Sequence, residues 1–180
     1  RPPPTSSPLR DLVTGSHRGA VLLLCVVWFT LSYGNYGIST WISVLFSDIG
    51  LGNVYAAAFL YALANLPGNV VSILYVERIG RKRLLAWGMC LAAVSAAGFA
   101  VGTSAPAVVV LCACLFNGFA VAGWNALDAL SAESFPTAVR TSALGLTAAA
   151  GRTGSIAAQF VNATLESNVP LLLFVTAGGM

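Results

Sequence analysis

Charge is scarce in this sequence. Only 8% of its 180 residues are Asp, Glu, Lys or Arg, while 57% are hydrophobic and the mean hydropathy is +0.82. Soluble domains carry about 25% charged residues, so a chain this poor in charge cannot cover a water-exposed surface. Histidine is nearly missing, with His17 the single one, and the four cysteines (Cys25, Cys90, Cys112, Cys114) all lie in apolar runs. No Cys/His spacing suits a metal, so no metal site and no cofactor is expected, and the cysteines read as small buried residues. A Ser/His set and paired aspartates are also lacking, which argues against an intramembrane enzyme. No re-entrant filter segment is visible, which argues against a channel. The net charge of +3 does not point to nucleic acid, because its cations sit in short loops between apolar segments.

What the chain has instead is long apolar segments, each sufficient to cross about 30 Å of hydrocarbon as a helix. They are expected at about 20–46, 53–76, 84–102, 106–131 and 141–163, with another beginning near 169. The last one stops at Met180, and the chain opens on Arg1, so it reads as a fragment with a truncated final helix. Residues 1–19 are Pro/Ser-rich and basic, as befits a linker or arm. The nine Lys and Arg residues follow a rule: Arg1, Arg10 and Arg18 precede the first helix, Arg78, Arg81, Lys82 and Arg83 follow the second, and Arg140 follows the fourth. Alternate loops have no Lys or Arg at all. The positive-inside rule makes the basic side cytoplasmic. Arg152 alone falls inside an apolar segment. The expected fold class is therefore all-α and polytopic, with the lipid bilayer as its surroundings and the choice between plasma and organelle membrane left open.

Polar residues inside the helices fall on stripes. Ser32, Tyr36, Ser39 and Ser43 recur at helical spacing on the first helix; Tyr61, Asn65, Asn69 and Ser72 do so on the second, around Pro67-Gly68. The fourth carries Asn117, Trp124 and Asp128 with Asn125 beside them, and the fifth carries Thr141, Gly145, Arg152, Ser155 and Gln159. A polar stripe at membrane depth must meet protein or water, so four of them point to a wet central path. The third helix, nearly all Ala, Val, Leu and Gly, is expected at the lipid-facing periphery. Each stripe by itself is also explained by hydrogen bonds between packed helices.

Arg152 lies about eleven residues into its helix, too deep to snorkel to an interface, and its burial costs at least about 2.5–3.5 kcal/mol. Either a permanent partner such as Asp128 compensates it, or it docks an anionic solute, whose two oxygens a planar guanidinium fits. Asp128 can serve as that counter-ion or take up a coupling proton. Trp124 and Tyr36 are candidate aromatic walls, and Asn125, Asn65 and Gln159 candidate polar contacts. At the basic side, Gly80 supplies a tight turn within Glu77-Arg78-Ile79-Gly80-Arg81-Lys82, and Glu133 and Arg140 flank a second turn stopped by Pro136. Acids and cations of the two loops can pair into a latch that breaks in each cycle, since an exposed pair contributes only about 0–1 kcal/mol.

With these loops the chain, from about residue 20 to 180, resembles the C-terminal six-helix half of a major facilitator superfamily transporter. The superfamily loop pattern Gly-x-x-x-Asp-Arg-x-Gly-Arg-Arg/Lys is met from Glu77 to Lys82, with Glu77 for Asp and Ile73 where the first Gly would stand. Pro67-Gly68 with this loop, and the run Glu133-Ser134-Phe135-Pro136-Thr137 to Arg140, Gly145, Arg152 and Gly154, most resemble the synaptic-vesicle-protein-related and organic-ion branch. The sugar branch shares Glu133 and Arg140. Its paired glutamines are replaced by Tyr33-Gly34-Asn35-Tyr36-Gly37, and its Gly-Pro-x-x-Trp run by Gly123-Trp124-Asn125-Ala126-Leu127-Asp128.

The resemblance implies helices seven to twelve of a twelve-helix alternating-access carrier, whose N-terminal six-helix half would be the missing partner. It implies a cytoplasmic latch of Glu77, Arg78, Gly80, Arg81, Lys82, Glu133 and Arg140, and a substrate site containing Arg152, Asp128, Trp124, Asn125, Tyr36, Asn65 and Gln159. In the organic-ion branch an arginine matched by Arg152 goes with anion carriers, so the expected cargo is a small organic anion, with proton coupling open. The alternatives are a sugar or organic-cation carrier of the same fold, or a transport-inactive receptor or scaffold. Asn162-Ala163-Thr164 fits a glycosylation pattern but lies close to the membrane.

Overall fold

The computed structural model describes residues 12, 15, 17–102, 105–165 and 169–179. Most of the 1–19 arm and parts of the expected loops at 103–105 and 163–168 lie outside those residues. Every described element is helical: α1 (Arg18–Ser39), α2 (Ile42–Asp48), α3 (Val54–Leu63), α4 (Asn65–Ile79), α5 (Arg81–Val101), α6 (Pro106–Glu133), α7 (Thr137–Leu165) and α8 (Val169–Gly178).

Two of the expected single helices are interrupted. The segment expected at 20–46 breaks between α1 and α2, where Trp41 N bonds to Ile38 O at 3.2 Å in a tightened turn. The Tyr36 carbonyl there is shared between Thr40 N, at 3.3 Å, and the Gln159 Nε2 of α7, also at 3.3 Å. A side chain inserted into the helical ladder is a standard cause of a kink. The segment expected at 53–76 is divided into α3 and α4 by the single residue Ala64, whose backbone keeps near-helical angles (φ −61°, ψ −14°), so the two run on as one span. Pro67 has no N–H to give the Leu63 carbonyl, and the next bond, Gly68 N to Ala64 O, is long at 3.4 Å. The Asn53 side chain caps α3 by accepting from Ala56 N at 3.0 Å. Pro106 opens α6, where a missing N–H costs nothing. Gly80, with φ +88°, turns α4 into α5 in a conformation that only glycine adopts without strain.

Four helices are long and apolar enough to cross a membrane: Arg18–Ser39, the continuous Val54–Ile79, Arg81–Val101 and Pro106–Glu133. The 29-residue α7 is long enough but more polar, because it carries Arg152, Gln159 and Asn162.

α1 packs along α7, and α6 along both α5 and α4, with α8 against α5. Glycines let the backbones approach closely, as membrane helices require when their neighbours are as apolar as lipid. Gly88 faces the Gly123 backbone, and Gly154 sits on the Phe29 carbonyl. One apolar cluster, with Ile38, Phe46, Phe99 and Phe116, fills the end away from the basic loops; another, with Leu24, Leu31, Leu127 and Phe135, fills the basic end. On α5, Leu84, Ala92, Ala96 and Phe99 are buried against neighbours while Trp87, Val94 and Val101 stay exposed. α5 lines neither of the two polar cavities described below.

Asn162 lies at the α1–α7–α8 junction, 0% exposed, and its Nδ2 donates to the Gly37 carbonyl. An amide so engaged cannot accept a glycan. Full-length protein made in a glycosylating host should show no gel shift from Asn162→Gln, and a shift would mean this junction opens.

Candidate functional site

The polar stripes of α1, α4, α6 and α7 converge on two cavities that share Tyr36 and Trp124 as a common wall. The wall is built from edge-to-face aromatic pairs. Trp28 and Trp124 have ring centroids 5.6 Å apart at 75°, and Tyr36 and Trp124 5.9 Å apart at 81°, the geometry favoured by opposed ring quadrupoles. Trp28 is fixed by its indole N–H, which donates to Ser131 Oγ at 2.9 Å.

The smaller cavity, about 240 Å³, is lined by Trp28, Ser32, Tyr36, Trp124, Gly151 and Arg152, with Ala148. Arg152 Nη1 donates to Tyr36 Oη at 3.4 Å, and its Cζ sits 6.0 Å from the Tyr36 ring centroid. The guanidinium is thus positioned by a phenol and a ring face, not neutralised by a carboxylate. Among the described residues the ion pairs do not include Asp128 with Arg152, and both side chains are exposed on the bundle surface. Of the two compensations the sequence leaves open for Arg152, the Asp128 pair is not the one observed.

The larger cavity, about 450 Å³, is lined by Asn35 and Ser39 of α1, Tyr61 of α3, Asn65 and Asn69 of α4, and Asn117 and Asn125 of α6, besides the shared wall. Ser39 Oγ donates to Asn35 Oδ1 at 3.0 Å and lies 2.6 Å from Tyr61 Oη. Asn117 Nδ2 donates to Tyr61 O at 2.6 Å. Gln159 stands apart: its Oε1 accepts from Trp41 Nε1 at 2.8 Å, and its Nε2 donates to Tyr36 O. It braces the α1–α2 break and lines neither cavity.

Of the residues singled out in the sequence, Arg152, Tyr36 and Trp124 meet at the small cavity, and Asn65, Asn125, Tyr36 and Trp124 at the large one. Asp128 is at neither. Trp28 and Asn35 join the site without having been singled out. Both are within reach of the same spacing argument, since Trp28 precedes Ser32 and Tyr36 by one and two helical turns and Asn35 precedes Ser39 by one.

At the basic end, Arg81 Nη2 and Nε each lie 3.0 Å from Glu133 Oε1. Arg140 Nε donates to Phe135 O at 3.1 Å, so it closes its own turn. Glu77 forms no ion pair among the described residues. With side chains 34% and 54% exposed, the Arg81–Glu133 pair is solvent-screened. A double-mutant cycle of Arg81→Ala and Glu133→Gln should give a coupling of no more than about 1 kcal/mol; a coupling of about 2 kcal/mol or more would show the pair to be shielded.

Residues 6–180 match the family of sugar (and other) transporters. The chain belongs to that family, within the major facilitator superfamily. Relatives in the family include synaptic vesicle glycoprotein 2A of Rattus norvegicus, 47% identical over 92 residues, which cover 51% of this chain and 12% of that protein. The niacin transporter NiaP of Acinetobacter baylyi is 33% identical over 154 residues, covering 84% and 35%. Synaptic vesicle glycoprotein 2C of Homo sapiens is 34% identical over 126 residues, covering 68% and 17%. The chain therefore spans between 12% and 35% of the length of these family members. Membership makes it a polytopic all-α membrane protein, as its charge scarcity and apolar helices imply.

Proposed function

We propose that this chain forms one side of a secondary carrier for a small organic anion, docked on Arg152 between Trp28, Tyr36 and Trp124. The observation that carries the reading is a guanidinium midway along α7 that Tyr36 holds beside an aromatic-walled cavity, with no carboxylate paired to it among the described residues. Its planar donors suit a carboxylate's two oxygens, and an anion there would offset the cost of placing the cation. The family supports a transported small molecule, as does the niacin transporter among the relatives. In this reading a second helix bundle covers the polar face of α1, α4, α6 and α7, and transport proceeds by rocking the two bundles around the site. Arg81 and Glu133 latch the basic end, which the positive-inside rule makes cytoplasmic. Asp128, not engaged with Arg152, is the group we assign to proton exchange.

The test is uptake by full-length protein in liposomes, with panels of labelled carboxylates, sugars and organic cations under a pH gradient. Carboxylates should accumulate above protein-free controls. Uptake of cations or sugars alone would replace the anion with that cargo, and no uptake of any panel would make the protein a receptor or scaffold.

A further inference from the structure

The larger cavity carries more information than a general polar lining. Its carboxamides form a chain whose direction is set by backbone. Asn69 Nδ2 donates to the Asn65 carbonyl and to Asn65 Oδ1, both at 2.9 Å. The backbone oxygen can only accept, so the Asn69 amide nitrogen must face it, and Asn69 Oδ1 is left to accept from Asn125 Nδ2 at 2.8 Å. Ser72 Oγ has given its proton to Asn69 O, at 2.8 Å, so it too accepts from Asn125 Nδ2, at 2.8 Å. On the α1 side, Asn35 Oδ1 is occupied by the Ser39 hydroxyl.

The outcome is a set of unused valences, which the Asn65–Asn69–Asn125 chain anchors on backbone and Asn35 completes through the Ser39 hydroxyl. Among the described residues, Asn35 Nδ2 and Asn65 Nδ2 remain as donors and Asn125 Oδ1 as an acceptor, each on a residue lining the cavity. No Asp, Glu, Lys or Arg among the described residues lines it. A second ionised group entering this chamber would lose hydration without gaining a counter-charge. An apolar group would leave two donors and an acceptor unpaired, which costs more than the bonds are worth when made.

We propose that the Asn35–Asn65–Asn125 chamber is a second subsite for an uncharged carboxamide, so that the cargo is a carboxylate joined to a primary amide through an aromatic or apolar spacer. A carboxamide oxygen has two lone pairs for the two Nδ2 donors, and its N–H supplies Asn125 Oδ1. The spacer passes Tyr36 and Trp124, which line both cavities. This deepens the anion reading and rests on Arg152 holding the carboxylate.

The test is calorimetric titration of full-length protein with 3-phenylpropionate, its para-carbamoyl derivative and its para-carboxylate derivative. In the unmodified protein the carbamoyl compound should bind about tenfold more tightly than the parent, and the dicarboxylate more weakly than the parent. Asn65→Ala and Asn125→Ala should each bring the carbamoyl-to-parent ratio to within about twofold. The inference is overturned if the unmodified protein binds parent and carbamoyl compound alike, a comparison that needs no variant to fold. It is also overturned if the preference survives both substitutions. Arg152→Ala separates the two readings: loss of binding for all three compounds sustains the docking role whatever the carbamoyl ratio, whereas unchanged binding of the parent defeats the docking role itself.

Discussion

Gly68→Ala should lower the melting temperature of the protein more than any substitution on the open polar face. A Cβ built at Gly68 would stand 2.4 Å from the Gly118 carbonyl oxygen and 3.0 Å from the Gly118 Cα. Both are backbone atoms, so no side chain can rotate away and α4 must separate from α6. Overpacking of this kind costs about 1–3 kcal/mol, and here it also pries apart the residues that order Asn69, Ser72 and Asn125. Gly145→Ala is the matched control, because nothing lies within 4 Å of the Cβ it would add. There the methyl only restricts the unfolded backbone and should stabilise α7 by about 0.5–1 kcal/mol. Thermal unfolding in detergent should therefore move in opposite directions for the two alanines. A Gly68→Ala protein that melts with or above the parent would mean that α4 and α6 are not in backbone contact.

Arg152→Ala should reduce kcat/KM for anion uptake about a hundredfold, the scale of one lost charge-assisted bidentate contact at the upper end of its range. Arg152→Lys should recover only part, because an ammonium keeps the charge but not the paired planar donors. Tyr36→Phe retains the ring wall and the cation–π contact while removing the hydroxyl that Nη1 reaches, so about a tenfold loss is expected. The measurement is initial uptake into liposomes at matched protein content, with melting temperature recorded for each variant. If Arg152→Ala folds and transports carboxylates as well as the parent does, the docking assignment is lost.

Much of this arrangement follows from residue spacing. Polar periodicity alone places Ser32, Tyr36 and Ser39 on one face of α1, and Asn117, Trp124 and Asn125 together on α6. Pro67-Gly68 marks a break that is found at Ala64. Helix periodicity does not, however, say which stripes meet. Arg152 and Asp128 are attractive partners on charge, yet Tyr36 is the residue that reaches the guanidinium. Gln159 looks like one more member of the α7 stripe. Its actual role depends on a break in α1 that local propensity does not announce, because the Gln159 amide itself competes for the Tyr36 carbonyl there. The Arg81–Glu133 pair is visible as a charge pattern, whereas the turn-closing bond of Arg140 to Phe135 depends on backbone geometry around Pro136.

Tyr36 presents its hydroxyl to Arg152 and its carbonyl to Gln159, and these two bonds belong to one residue near the end of α1, just before the break that precedes α2. In the proposed reading a solute docks on the guanidinium N–H groups that Tyr36 leaves free, so the hydroxyl bond stays and positions the cation. The Tyr36 ring also stays edge-to-face against Trp124, while its carbonyl bond to Gln159, which also holds Trp41, is a backbone contact that does not depend on the side chain. The proposed docking contact and the brace of the α1–α2 break are thus built on one residue, so a change that shifts the Tyr36 backbone should disturb both, and one that trims its side chain only the first.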